Sequence, residues 1–388
     1  MACTLPALSD DMSDVARLDL VSRQSGGQNA HLDIVFADGV VWLARMRLLD
    51  PLMPPAEVQT RVLESEVATL RFLAKTNVPT PRVYAFASTA QNPVGTPYLL
   101  MEKMPGKPLD WYTATVTQKD RVLEQLVDIY VELEKHPLPQ TGCLSLADDE
   151  GTALVGPFVQ LPCFVTRTSA LGPYTTLIES YTAILHHHMH MLASGECGGA
   201  DNQLRLDNYL AFLWRLHMME RLTEHDGPFY IKHYDDKGDH ILVDELYTIT
   251  GIIDWEWASA EAKPYAFSTP CMLWPVGDFF DGKNALSADE VRFAELMEKR
   301  GGRADLAVLA HNGRAWQRFL FFLGGGLPQS ADEFDRLIRG LKGALEEMVG
   351  GHEQRTSFAE WKASLLAGNV ADMDPQLAEL VADSEVGQ

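Results

Sequence analysis

The sequence is short of positive charge. Its 32 lysines and arginines stand against 54 aspartates and glutamates, a formal net charge of −22 over 388 residues. Such a surface repels polyanions and anionic membranes over most of its extent, so nucleic acid and membrane are excluded as expected partners. Cysteine is scarce too. The five, Cys3, Cys143, Cys163, Cys197 and Cys271, are odd in number, scattered and never in C-x-x-C spacing. That excludes a disulfide framework and a zinc site and points to a reducing compartment. No apolar run approaches membrane length, and the opening MACTLPALSDDMS shows neither a basic leader nor an apolar core, so the expected localisation is cytoplasmic. Internal repeats and low-complexity tracts are also lacking. What is present is length, enough for two lobes that each bury a core.

One stretch organises the chain. Residues 229–257 read FYIKHYDDKGDHILVDELYTITGIIDWEW. Three short apolar runs, 229–231, 241–243 and 249–253, are separated by polar punctuation, the pattern of strands joined by tight turns. Asp235 follows the first run and Asp254 the last. A hairpin-like arrangement would bring both acids to one rim, where they could hold a divalent metal and orient a hydroxyl. Phosphoryl transfer needs that geometry, because it depends on positioning and charge neutralisation.

Upstream, strand-like runs at 18–23, 30–36 and 40–48 are separated by Gly26-Gly27 and by Asp38-Gly39, the latter a strong hairpin signal. Gly26 and Gly27 could let backbone N–H groups approach a phosphate, although an ordinary β-turn has the same look. Alternation places Leu43, Arg45 and Arg47 on one strand face. Arg45 is the candidate phosphate anchor, while Arg47 also fits a solvent-facing edge position. Pro54-Pro55 opens a helix over 57–74, with Leu63, Val67, Leu70 and Ala74 on one apolar stripe. Glu66 flanks the stripe and needs a cation if it is desolvated. The expected cation is Arg45, and a boundary glutamate is the plainer alternative.

Strands at 82–87 and 97–102 close the N-terminal lobe. The boundary falls near Met104, giving lobes of 1–104 and 105–388. Helical spacing follows at 116–135, 174–192 and 203–224, with 137–173 as a long loop and amphipathic helices over about 288–382. In the run 186–190, His186 and His190 share a face but lack the acid of a metalloprotease motif, so solvated histidines are expected. Trp274, Asp278 and Asp281 are candidates for an acceptor pocket.

The segments His233-Tyr234-Asp235, His240-Ile241-Leu242-Val243-Asp244 and Ile252-Ile253-Asp254-Trp255-Glu256 resemble the catalytic segment of the aminoglycoside phosphotransferase-like family, small-molecule kinases with a protein-kinase-like fold, and its fungal members most. The resemblance implies an α+β, two-lobed fold: an N-terminal antiparallel sheet with one helix, and a larger, mostly helical C-terminal lobe. It implies that Asp235 accepts the proton of a substrate hydroxyl, that Asp254 binds metal and that His233 fixes the loop. It further implies that the Gly26-Gly27 loop approaches the nucleotide, that Arg45 anchors its phosphates with Glu66 fixing Arg45 as an ion pair, and that main-chain groups around Glu102 and Met104 meet the adenine. His240 stands at the second metal position, where the family has Asn.

The implied activity is transfer of the ATP γ-phosphoryl, with Mg²⁺ or with Mn²⁺ in its place, to a hydroxyl of an unidentified small metabolite. A monomer or homodimer is expected. Because imidazole is a poor ligand for Mg²⁺, three outcomes stay open at His240: one metal only, an oxygen ligand from Asp236 or Asp239 instead, or a scaffold without turnover. The alternative function is a catalytically impaired kinase-like protein that binds nucleotide or a metabolite.

Overall fold

The chain enters on β1 (Val15–Asp19), β2 (Asn29–Phe36) and β3 (Val41–Arg47). Gly39, at φ +87°, makes the reversal between the last two possible: its N–H donates to the Phe36 carbonyl while Val40 N–H donates to Asp38 Oδ1. The computed structural model describes residues 15–19, 29–48, 55–147, 153–159, 171–198, 200–219, 227–321, 327–349, 357–368 and 375–386. Gly26 and Gly27 lie outside the described residues.

Helix α1 (Ala56–Leu73) follows Pro55 and buries Val62, Leu63, Glu66, Val67, Leu70 and Leu73. The repeat of three and four residues puts these on one face. Ala74, expected on that stripe, is instead an exposed C-cap, because the helix ends one residue earlier. Strands β4 (Val83–Ala87) and β5 (Tyr98–Glu102) complete an antiparallel sheet in the order β1-β2-β3-β5-β4. Next come β6 (Lys107–Pro108), α2 (Val116–Glu134), β7 (Gly142–Leu146) and β8 (Ala153–Val155). The last two pair antiparallel where a long loop was expected. Cys143 and Leu144 are buried there, so packing decides what glycine and proline punctuation obscured.

Helices α3 (Leu177–Ala193) and α4 (Asn202–Met218) are N-capped by Thr176 and Asp201. Strands β9 (Phe229–Lys232), β10 (Ile241–Val243), β11 (Ile249–Ile252) and β12 (Ser259–Ala262) follow. Their pairing corrects the expected three-strand arrangement. β10 pairs with β11 and β6, whereas β9 pairs with β12, a strand that sequence periodicity does not reveal. The rest is helical: α5 (Lys263–Ala266), α6 (Val276–Phe280), α7 (Ala288–Lys299), α8 (Ala304–His311), α9 (Arg314–Phe321), α10 (Ala331–Val349), α11 (Phe358–Leu366) and α12 (Pro375–Val386). Among the described residues, no helix is long and apolar enough to cross a membrane.

The chain divides into two compact units. The first comprises Met1–Gln125, Cys143–Val159 and His233–Ala258, and the second Leu126–Gly142, Gln160–Lys232 and Ser259–Gln388. Residues 105–125, 143–159 and 233–258 thus fall in the same unit as the N-terminal sheet, where a single cut near Met104 was expected. The reason lies in β10: it pairs with β6 on one side and leads through β11 to acids that meet β3. In the second unit the caps recur. Ser287 and Glu290 form a capping box on α7, and Ser357 and Glu360 form another on α11. His186 and His190 are exposed on α3, while His188 is buried against the Phe212 ring.

Candidate active site

The first unit gathers its charged side chains at one strand face. Because side chains alternate along β3, Arg45 and Arg47 point the same way, and register places His31 opposite Arg45 and Asn29 opposite Arg47. Both arginine side chains are less than a tenth exposed. Arg45 Nη1 donates to Glu66 Oε1 of α1. Its Nη2 donates to Asp254 Oδ1 at 2.9 Å and also to Glu256 Oε2. Arg47 Nη2 donates to the other oxygen of Glu256, and Asn29 Nδ2 to Glu256 Oε2 at 3.2 Å. Two guanidinium groups therefore meet three carboxylates, leaving a surplus of one negative charge.

Burial and that surplus together set the protonation. Burial works against the charge on Arg45, but Glu66, Glu256 and Asp254 outweigh it and hold its pKa above the usual value. Burial pushes the Glu66 carboxyl up to about 7, against the pull of Arg45. Asp254 is the exposed end of the cluster, its side chain 50 % accessible. Its backbone sits at φ +62°, a left-handed conformation that few residues other than glycine adopt. The flanking contacts hold it there. Trp255 is buried with Nε1 donating to the Ile252 carbonyl at 2.9 Å, and Ile252 N–H donates to Pro79 O.

Asp235 lies in the loop between β9 and β10. Its side chain is 39 % exposed, and Lys237 Nζ stands 2.7 Å from it and 3.8 Å from Asp239. Those contacts raise the pKa of Lys237, the Asp235 hydrogen bond most, with Asp254 contributing charge as well. His233 ties the loop to the strand before Asp254: Nε2 is 3.0 Å from the Ile253 carbonyl, and burial lowers its pKa. A neutral ring donates there, since a carbonyl only accepts. Asp235 and Asp254 both act on His233 and Lys237 electrostatically. The Asp235 loop and the segment before Asp254 are thus tied together through His233.

His240 is turned inward. It is buried, its ring centroid is 4.2 Å from that of His233, and Nδ1 accepts the Gly238 N–H at 3.3 Å. Its carbonyl accepts from Ile253 N–H at 2.9 Å. Among the described residues, no group of three or more His, Cys, Asp or Glu forms a ready metal site.

Glu102 ends β5 opposite Trp42, and Lys103 pairs with the buried Asp33 of β2. Gly106 has φ +103°, and a Cβ there would fall 2.8 Å from the Val243 carbonyl oxygen. Glycine therefore lets this turn close on β10, and the Met104 side chain packs at the glycine face of Gly251. Sequence reasoning missed Glu256, Asn29 and the Lys103–Asp33 pair, and it allowed Arg47 an exposed edge. β5 pairs with β3 on the side away from β2, so β3 is no edge, and that partnership cannot be read from local spacing.

A model of the phosphotransferase enzyme family matches residues 52–260, more than half of the chain. Among curated proteins, a subtelomeric hrmA-associated cluster protein of Aspergillus fumigatus, matched in two strains, is 31 % identical over 129 residues. The alignment covers 32 % of this chain and 24 % of the relative, so the chain spans about a quarter of the length of the curated relatives it matches. A thermostable mutant of the aminoglycoside phosphotransferase APH(4)-Ia, in ternary complex with AMP-PNP and hygromycin B, superposes with a TM-score of 0.51 at 17 % identity, covering 88 % of this chain and 97 % of that one. A Thermobifida fusca structure assigned by inference as a fructosamine-3-kinase gives 0.51 at 14 % identity, covering 86 % and 94 %. At these identities the likeness is one of fold.

Proposed function

Because the chain belongs to the phosphotransferase enzyme family, we propose that it transfers the γ-phosphoryl of a nucleoside triphosphate, ATP, to a hydroxyl of a small molecule. The observation that carries this reading is Arg45, joined at once to Glu66 of α1 and to Asp254 after β11. A buried cation fixed between two acids from distant segments is a pre-organised anchor for phosphate oxygens.

Each side chain has a part in the proposal. Asp235 orients the acceptor hydroxyl and takes its proton, Arg45 holds phosphate oxygens, and Glu66 keeps Arg45 aimed. The main chain from Glu102 to Met104 takes the adenine edge. Gly26 and Gly27, outside the described residues, stay in the proposal as the candidate phosphate contact. Mg²⁺ fits the donors on one count: it needs one or two carboxylates and completes its shell with water and phosphate oxygens, and Asp254 offers a half-exposed carboxylate. When bound it would neutralise charge on the transferring group. His240, inward and with Nδ1 accepting from Gly238, fits less well than Asp239, whose side chain is 62 % exposed.

The hygromycin B complex among the fold neighbours and the acidic surface favour an acceptor that is a polyhydroxylated or amine-bearing metabolite. In the second unit, Asp278 and Asp281 both face Lys283, at 2.7 and 3.9 Å. A metabolite-library screen for ATP-dependent gain of one phosphate, with Asp235→Ala as the blank, tests the reading. A product made only by the unsubstituted protein is expected. Metal-dependent thermal stabilisation by ATP with no Asp235-dependent product or hydrolysis would instead identify a nucleotide-binding protein.

A further inference from the structure

Glu256 has no part in the chemistry proposed above, yet it is the carboxylate that joins the two arginines. Its Oε2 accepts from Arg45 Nη2 and from Asn29 Nδ2, and its Oε1 accepts from Arg47 Nη2. Arg45 and Arg47 are two positions apart on one strand face, roughly 7 Å along β3, where like charges repel. One carboxylate set between them cancels that repulsion and orients both planar groups. Arg45 Nη2 is shared between Asp254 and Glu256, so Arg45 keeps a carboxylate partner whatever Asp254 binds.

We infer that Glu256 is a positioning residue that holds Arg45 and Arg47 as one two-guanidinium surface for nucleotide phosphates, with Arg47 as the second phosphate-binding cation. The inference rests on the kinase reading and extends it, since Arg47 adds a cation to the site.

The sign of one substitution separates this role from a purely structural one. Glu256→Gln removes a negative charge beside the polyphosphate. If Glu256 only offsets buried arginine charge, simple Coulomb attraction then raises the affinity for ATP or leaves it unchanged. If Glu256 positions the arginines, affinity falls. Glutamine has a single acceptor oxygen, so its amide N–H₂ must face one of the two guanidinium groups and turn it away.

Calorimetric titration of the full chain with ATP, once in EDTA and once with Mg²⁺, reads this directly, with Tm and ATP-hydrolysis kcat measured alongside. Glu256→Gln is expected to weaken ATP binding about tenfold in both conditions, the size of a lost charge-assisted hydrogen bond, and to raise KM for ATP more than it lowers kcat. Arg47→Lys keeps the charge without the fork and is expected to weaken ATP binding about threefold with Tm preserved. It supplies the answer should Glu256→Gln fold poorly. The double variant should lose less than the product of the single losses. Unchanged or tighter ATP binding in Glu256→Gln, unchanged binding in Arg47→Lys, or fully multiplicative losses overturn the inference alone. Absence of ATP binding by the unsubstituted protein overturns the kinase reading and this inference together.

Discussion

Arg45 in the first unit and Arg314 in the second are both buried arginines paired with glutamate, yet their protonation shifts in opposite directions. Burial lowers the pKa of Arg314 despite its contact with Glu290, whereas three carboxylates raise that of Arg45 despite its burial. Around Arg314 both Nη atoms are paired with neighbouring acceptors, while Nε is buried without a hydrogen-bond partner. Nη2 meets Glu290 at 2.7 and 2.9 Å, Nη1 meets Gln317 Oε1 at 2.8 Å, Thr269 Oγ1 donates to Glu290 at 2.7 Å, and the Trp274 and Phe279 rings flank the cation. Arg45 has acid in excess, with one acid half exposed. A matched, enclosed pair is a structural device. A pair with surplus carboxylate and an open end is the kind of arrangement that a cationic ligand completes.

Two substitutions would break this contrast if it is misread. Asp254→Ala should lower ATP turnover by about a thousandfold and leave Tm nearly unchanged, since Arg45 keeps Glu66 and Glu256. Glu290→Ala should cost about 3–5 kcal/mol of stability in denaturant titration, because it strands a buried charge. Equal stability losses from the two would erase the distinction.

A buried acid in the second unit sharpens the contrast by pH. Burial pushes the Glu261 carboxyl up to about 7, against its hydrogen bond from Ser259 and the charge of Lys232. The folded state then binds more protons than the unfolded state between the unfolded pKa of about 4.5 and the folded one. Stability falls as pH rises through that window, by about 3 kcal/mol from this group. Glu261→Gln should flatten the slope in urea melts recorded from pH 4.5 to 7. A slope that persists unchanged assigns it to other groups. The smallest expected effect is Ser287→Ala. It removes the cap that accepts the Glu290 N–H at 3.0 Å and should cost about 1 kcal/mol.

Much of the first unit was legible because alternation and helical period are local rules. Asp38-Gly39, the face shared by Arg45 and Arg47, and the inward position of Glu66 all follow from spacing. Strand partnership does not. Ser259–Ala262 has weak strand propensity, and only its pairing with Phe229–Lys232 makes it a strand. For the same reason Asp235 and Asp254 were expected on one hairpin, whereas the His233–Ile253 and His240–Ile253 contacts bring their segments together. Glu256 could be read as part of a resembling motif but not as a bridge, because the left-handed turn at Asp254 that redirects the chain has no glycine to announce it.

The central claim is that the acids at 235 and 254 and the arginine at 45 make one phosphoryl-transfer site. Release of phosphate from γ-labelled ATP, followed in single turnover with Mg²⁺, tests it most directly. The account expects slow release by the unsubstituted protein, lost in Asp235→Ala while ATP still binds. Release that is equal in both, or none in either despite bound ATP and the correct acceptor, would contradict it.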